Sequence, residues 1–187
     1  MKLSIAVQMH ESRVGFRPYL VERLGEVPFC VDEGAGFWPT CREAWLAFDP
    51  DAVFHVVVQD DAIVCDDFRQ RAEERLVVDM PHSFYWGARV ALRDVARAAL
   101  PAGYVDHQLR WSVAVCLPTR LIADFIAFGD AYVPPGIQQD QMKRWLLARG
   151  LQVRYVLPSL VDHRDGRSVI GDRESAGRNA LFFIDRT

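Results

Sequence analysis

The 187-residue sequence predicts an α/β fold, a mixed central sheet flanked by helices. Two apolar, β-branched runs, Leu3-Ser-Ile-Ala-Val-Gln-Met9 and Phe54-His-Val-Val-Val58, have the pattern of strands covered on both faces. Segments of helical composition alternate with such strands through the first half of the chain. The second half is less regular, which favours a mixed sheet over a purely parallel one.

Taken in order, Leu3–Met9 is the first strand and Arg17–Leu24 the first helix, with Pro18 tolerable only in its first turn. Pro28–Asp32 reads as a second strand, broken by Gly34-Ala-Gly36. Thr40 suits the N-cap of a helix over Cys41–Phe48, with Glu43 as its capping-box partner. Phe54–Val58 is the clearest strand and runs directly into Gln59-Asp60-Asp61. Asp67–Leu76 is helical by composition, Ser83–Trp86 a strand, and Ala88–Leu100 helical or irregular. Trp111–Leu117 is a strand halted by Pro118, and Thr119 then caps a helix over Arg120–Phe128. After the Pro134-Pro-Gly136 loop, a helix spans Gln139–Arg149 and ends at Gly150. Val153–Leu157 forms a last strand, followed by Pro158 and a polar segment from Asp162 to Gly177. No internal repeat or linker interrupts the chain, so residues 1–187 read as one domain.

Bulk properties remove several classes of function. No apolar run is long enough to cross a bilayer, and the N-terminus lacks signal-peptide order, so a cytoplasmic location is expected. A net charge of −3 argues against strong non-specific attraction to nucleic acid, without excluding a local basic groove. Cys30, Cys41, Cys65 and Cys116 lie far apart with no CxxC pair, which fits buried free thiols better than zinc or a disulfide framework.

Three features carry chemistry. A buried-type strand that ends in Asp60-Asp61 puts two carboxylates where open α/β sheets bind ligands, at the carboxyl ends of strands. Adjacent carboxylates repel and lose hydration there unless a cation such as Mg2+ or Mn2+ joins them. The plainer alternative is a solvated turn. His163 follows a Pro-ended strand between Asp162 and Asp165, where it is either a further metal ligand or a satisfied structural histidine. Asp140 opens a helix, as a simple cap or as a carboxylate able to take a proton from a hydroxyl.

The order of these features resembles the GT-A glycosyltransferases, and more narrowly small bacterial and phage enzymes with a Gln-Asp-Asp form of the DxD metal motif. Phe54–Phe68 and Tyr155–His163 carry the resemblance; Asp32–Trp38, with Arg42 and Trp45 beyond it, and Ser168–Gly171 add weaker likeness. It implies a GT-A-like, Rossmann-like domain with a nucleotide-binding half over 1–80 and an acceptor half over 81–187. It further implies Mn2+ or Mg2+ held by Asp61 and His163, with Asp60 reaching the ribose or a metal-bound water. Asp32 would contact the nucleoside, Arg13 the base or diphosphate, and Arg42 the donor sugar or phosphate. Asp140 matches the catalytic base of inverting members. Gln59 stands where an acid is more usual, and Trp111-Ser112 where many relatives have glycine.

The expected activity is metal-dependent transfer of a sugar from a nucleotide-sugar donor, UDP-linked by preference, to an acceptor hydroxyl. The acceptor is left open between a saccharide or lipid-linked glycan and a hydroxymethylated base in phage DNA. Arg164, Arg167, Arg173 and Arg178 offer some positive charge for DNA, but a solvated tail or diphosphate contacts is the favoured reading of them. Trp86, Trp111 and Trp145 either line an acceptor cleft or belong to the core. A nucleotidyltransferase is the enzymatic rival, but the first strand leads into Gln8-Met-His-Glu-Ser-Arg13 without a Gly-rich phosphate loop. A non-catalytic nucleotide-sugar or cation-binding module is the other alternative.

Overall fold

The structure, a computed structural model, describes residues 2–87, 97–132, 138–164 and 178–186. The expected α/β architecture is present. A seven-stranded mixed sheet is built from β1 (Leu3–His10), β2 (Phe29–Asp32), β3 (Phe54–Gln59), β5 (His82–Ser83), β6 (Tyr104–Asp106), β7 (Ala114–Pro118) and β8 (Val153–Tyr155). Its spatial order is β2-β1-β3-β7-β5-β8-β6. β4 (Ala62–Val64) and β9 (Val161–His163) pair as a separate antiparallel ribbon.

β1 runs parallel to both β2 and β3, with Val7 opposite Phe29 on one side and Val58 on the other. Their carboxyl ends therefore share one edge of the sheet. β7 runs antiparallel to β3, so its amino end, just after Trp111-Ser112-Val113, arrives at that same edge. β5 and β8 are parallel to each other, and β6 closes the sheet antiparallel to β8.

Side-chain alternation along the strands divides the core into two layers. Leu3, Ile5, Val7 and Met9 of β1 join Phe54, Val56 and Val58 of β3 on one face, under α1 (Arg17–Leu24) and α3 (Phe68–Glu73). Ala6, Val57, Val115 and Leu117 point to the other face. There α2 (Phe37–Leu46), α4 (Ile122–Asp130) and α5 (Gln138–Ala148) pack. Phe125 is the hub of this second layer, with ring centroids 5.8 Å from Trp38, 5.7 Å from Trp45 and 5.3 Å from Trp145. Burial of one such side chain is worth about 1.5–3 kcal/mol. Trp86 and Trp145 are fully buried core residues, which removes them from any open acceptor cleft; Trp111 is only partly buried.

Several expected boundaries are corrected. α2 starts at Phe37 rather than Cys41, so Thr40 is no N-cap and the Thr40–Glu43 capping box does not form. Thr40 instead donates its hydroxyl to the Gly36 carbonyl at 3.1 Å from inside the first turn. The cap is Gly36, whose φ of 96° requires glycine. Thr119 does not cap a helix either: it opens a 3-10 turn over Thr119–Leu121 and donates to the Ala52 carbonyl at 2.8 Å. α3 is shorter than expected, Ser83–Trp86 contributes only the two-residue β5, and β7 begins at Ala114 rather than Trp111. β8 ends at Tyr155, and the ribbon strand β9 was not expected within the polar segment. Residues 88–96 of the expected Ala88–Leu100 segment, the Pro134-Pro-Gly136 loop and Ser168–Gly171 lie outside the described residues.

All four cysteines are free and buried, as expected, and burial pushes each thiol up from its ordinary pKa. No helix among the described residues is long and apolar enough to cross a membrane.

Candidate functional site

The acidic pair sits where two pieces of topology meet. β3 delivers Asp60 and Asp61 to the carboxyl edge of the parallel strands, in the turn that leads to β4. β4 then leaves the main sheet and pairs with β9, which places Ala62 opposite His163. The result sets His163 Nε2 3.4 Å from Asp61 Oδ2. The Arg164 N–H donates to the Asp61 carbonyl at 2.8 Å and locks the two turns together.

Asp60 and Asp61 are 5% and 9% exposed, so they do not form a solvated turn. Arg13 answers their charge. It lies in a 3-10 turn over Glu11–Phe16, immediately after β1, and its Nη1 donates to Asp60 Oδ1 at 2.8 Å and to Asp61 Oδ2 at 2.6 Å. Asp60 Oδ2 accepts the backbone N–H of His10 at 2.7 Å.

The two neighbouring carboxyls are driven in opposite directions. Burial pushes Asp60 up and outweighs the hydrogen bonds from His10 and Arg13. Burial also pushes Asp61 up, but His163 and Arg13 together overcome it and hold this carboxyl below its ordinary range. Asp61 is thus the better anion of the pair. Its Oδ1 and His163 Nδ1 are buried with no hydrogen-bond partner among the described residues.

Asp162 is fully buried beside this site and accepts the N–H groups of His163, at 2.8 Å, and of Ala180. Its carboxylate therefore pins the strand that carries the histidine. The rings of Tyr85 and Trp111 continue a wall from His163, with centroid separations of 6.4 Å for Tyr85–His163 and 5.9 Å for Tyr85–Trp111. Gln59 Nε2 donates to Ser112 Oγ at 3.4 Å, so the residue before the acidic pair faces the segment that leads into β7.

The remaining sequence candidates fall at different distances from this centre. Asp32 ends β2 and stands in register with His10, on the same sheet edge as the acidic pair. Its Oδ1 accepts the N–H groups of Gly34 and Gly36, both at 3.0 Å, and shapes the turn into α2. Arg42 lies on α2 and pairs with Asp130 at 3.2 Å, away from the acidic pair's own contacts. Asp140 is exposed in the first turn of α5. Of the four arginines, Arg167 and Arg173 lie outside the described residues. Arg164 stacks its guanidinium 4.7 Å from the Phe16 ring and 5.0 Å from the Tyr19 ring.

Sequence reasoning missed the backbone N–H of His10 and the pinning role of Asp162. The first has no side-chain signature. The second was visible only as an acidic neighbour of His163.

A divalent cation can be tested against these groups. Carboxylate oxygens and an imidazole nitrogen suit Mn2+, and the buried, partnerless Asp61 Oδ1 is an open donor. As arranged, however, the guanidinium of Arg13 covers both carboxylates. No group of three or more His, Cys, Asp or Glu side chains among the described residues is set to hold a metal.

No family model matches the sequence, and a comparison with curated proteins finds no significant match. Solved structures do match. A mutant β-1,4-galactosyltransferase 7 from Drosophila, crystallised with manganese, UDP-galactose and xylobiose, is similar over 96% of this chain and 82% of that one. The identity is 10% and the TM-score 0.50. A CMP:2-keto-3-deoxy-manno-octonic acid synthetase with CTP is similar over 83% of this chain and 89% of that one, at 9% identity and a TM-score of 0.41. The galactosyltransferase likeness is one of fold: the chain has the GT-A-like, Rossmann-like architecture expected of it.

Proposed function

We propose that this protein transfers a sugar from a nucleotide-sugar donor to an acceptor hydroxyl, with Mn2+ or Mg2+ as cofactor. The observation that carries the reading is the convergence of Asp60, Asp61 and His163 at the carboxyl edge of parallel strands. That is the part of an open α/β sheet where ligands bind. The manganese and UDP-galactose in the structure of similar fold support the choice of donor and ion, and its xylobiose supports a saccharide acceptor over modified DNA.

In this reading residues 1–80 bind the nucleotide and residues 81–187 receive the acceptor. Asp61 and His163 hold the cation, and Asp60 faces the ribose. When bound, the cation offsets the negative charge that develops on the departing nucleoside diphosphate. Asp32, one strand from His10, orients the nucleoside, and Arg42 engages the sugar or phosphate. Asp140 takes the proton of the attacking hydroxyl as the new glycosidic bond forms and the bond to diphosphate breaks. A single displacement of this kind inverts the anomeric centre.

Arg13 on both carboxylates favours one second reading, a binding module without turnover. Release of nucleoside diphosphate from a panel of UDP-, GDP- and TDP-sugars with Mn2+ separates the two. Mn2+-dependent release from one donor supports the transferase, and its absence across the panel contradicts it.

A further inference from the structure

We infer that Arg13 is a built-in counter-cation that occupies the acidic pair in the metal-free protein and withdraws when a divalent cation binds. The inference rests on the proposed metal site and adds a residue that competes for it.

Geometry supplies the first argument. A single nitrogen, Nη1, bridges Asp60 Oδ1 and Asp61 Oδ2, the position a shared cation would take between two carboxylates. Asp61 Oδ2 is also the oxygen that approaches His163 Nε2. A metal that takes Asp61 Oδ2 together with His163 Nε2 meets the oxygen that Arg13 now holds at 2.6 Å, although Asp61 Oδ1 is left open. Two cations cannot share that space, because like charges at such separations repel strongly where water is excluded.

Mobility supplies the second. The Glu11–Phe16 turn that carries Arg13 has no buried residue of its own, and Val14 is exposed. The turn is fastened at its start by β1 and by the His10 N–H on Asp60, and its end passes into α1. Between those points the described anchors include the Arg13 ion pairs, the Ser12 contacts with the His10 ring and the Arg164 guanidinium over Phe16. At Gly15, next but one to Arg13, a Cβ would meet nothing within 4 Å. Elements with few buried contacts open at low free-energy cost.

Energetics supply the third. Two adjacent buried carboxylates without a counter-charge would be costly to keep ionised. Arg13 offsets part of that cost while the metal is absent. The same competition weakens metal binding by the free energy of the pairing it displaces.

Titration calorimetry with MnCl2 alone, at pH 7.5, compares wild-type protein with Arg13→Met. The expected result is Mn2+ binding at least about tenfold tighter in the variant, equivalent to about 1.4 kcal/mol. Equal or weaker binding in a folded variant overturns the inference while leaving the metal site intact. No Mn2+ binding in either protein overturns both together. Hydrogen exchange read by mass spectrometry on the wild type needs no variant. Saturating Mn2+ is expected to speed exchange in peptides covering residues 11–16, and unchanged or slower exchange there contradicts the withdrawal of Arg13.

Discussion

His163 Nε2 lies 3.4 Å from Asp61 Oδ2, brought there by the pairing of two three-residue strands outside the main sheet. Neither β4 nor β9 has a core of its own. The ribbon exists because Ala62 and Val64 face Val161 and His163 across it, with Asp162 tying its far strand to Ala180. Its consequence is proximity: a histidine late in the sequence meets an acidic pair from its first third. Loss of this one ring tests that consequence. His163→Ala is expected to weaken Mn2+ affinity by about 10–100-fold. The backbone pairing of β9 is retained, so the far-ultraviolet circular dichroism spectrum should not change. Unaltered Mn2+ affinity would remove His163 from the metal site.

Asp140 separates chemistry from binding. It is exposed at the mouth of α5, and no hydrogen bond or ion pair among the described residues joins it to the acidic pair, so Asp140→Asn should leave Mn2+ and nucleotide affinity intact. As the base it should cost about 10²–10⁴-fold in turnover. Proton NMR of the wild-type product should show the inverted anomer. A retained anomer, or full turnover by Asp140→Asn, contradicts the assigned role.

Two core histidines make the fold sensitive to acid. His55 is held between Ser4 Oγ at 2.7 Å and the Ala44 carbonyl at 2.8 Å, and burial lowers its pKa to about 4. Burial, aided by the charge of Arg154, takes His82 down to about 4 as well. In the unfolded chain both return to about 6.5. Between those values the unfolded state binds more protons, so stability is full above about pH 6.5 and falls as the pH drops toward 4. By pH 5 each histidine should cost on the order of 1–2 kcal/mol. Urea midpoints measured from pH 7.5 to pH 5 should fall accordingly; a flat profile contradicts the neutral, buried state of both rings.

The packing of α2 on α4 leaves no room beside Gly129. A Cβ there would lie 2.1 Å from Trp38 Cη2, and Trp38 is itself fixed by a 3.0 Å hydrogen bond from Nε1 to Asp130. Gly129→Ala gains up to about 1 kcal/mol of helix propensity. Overpacking costs about 1–3 kcal/mol, and at this distance the clash should win. A lowered urea midpoint is expected, and a raised one would show that the Trp38 ring yields freely.

The legible parts of this protein are those with strong local periodicity. β1, β3 and α1 stand close to where their patterns place them, because continuous apolar runs and Pro18 in a first turn have few alternatives. The α2 start was illegible because Asp32 organises the turn through backbone N–H groups of Gly34 and Gly36, which no pattern of side chains reports. Thr119 looked like a cap but is spent on the Ala52 carbonyl, a contact between segments distant in sequence. In the site, Asp61 and His163 are suggested by position at strand ends, and their approach follows from the β4–β9 pairing. Arg13 was expected at the base or diphosphate, and in the ligand-free chain it lies on the two carboxylates. Charge complementarity explains that placement, but only after β1 and β3 are known to be neighbours.

Asp61 is the proposed anchor of a metal-dependent nucleotide site. Calorimetric titration of UDP in saturating Mn2+, into wild-type protein and into Asp61→Ala, measures it directly. The expected result is Mn2+-dependent UDP binding by the wild type and its loss in the variant, with the circular dichroism spectrum unchanged. Equal UDP affinity in the two proteins, or wild-type binding indifferent to Mn2+, would contradict it.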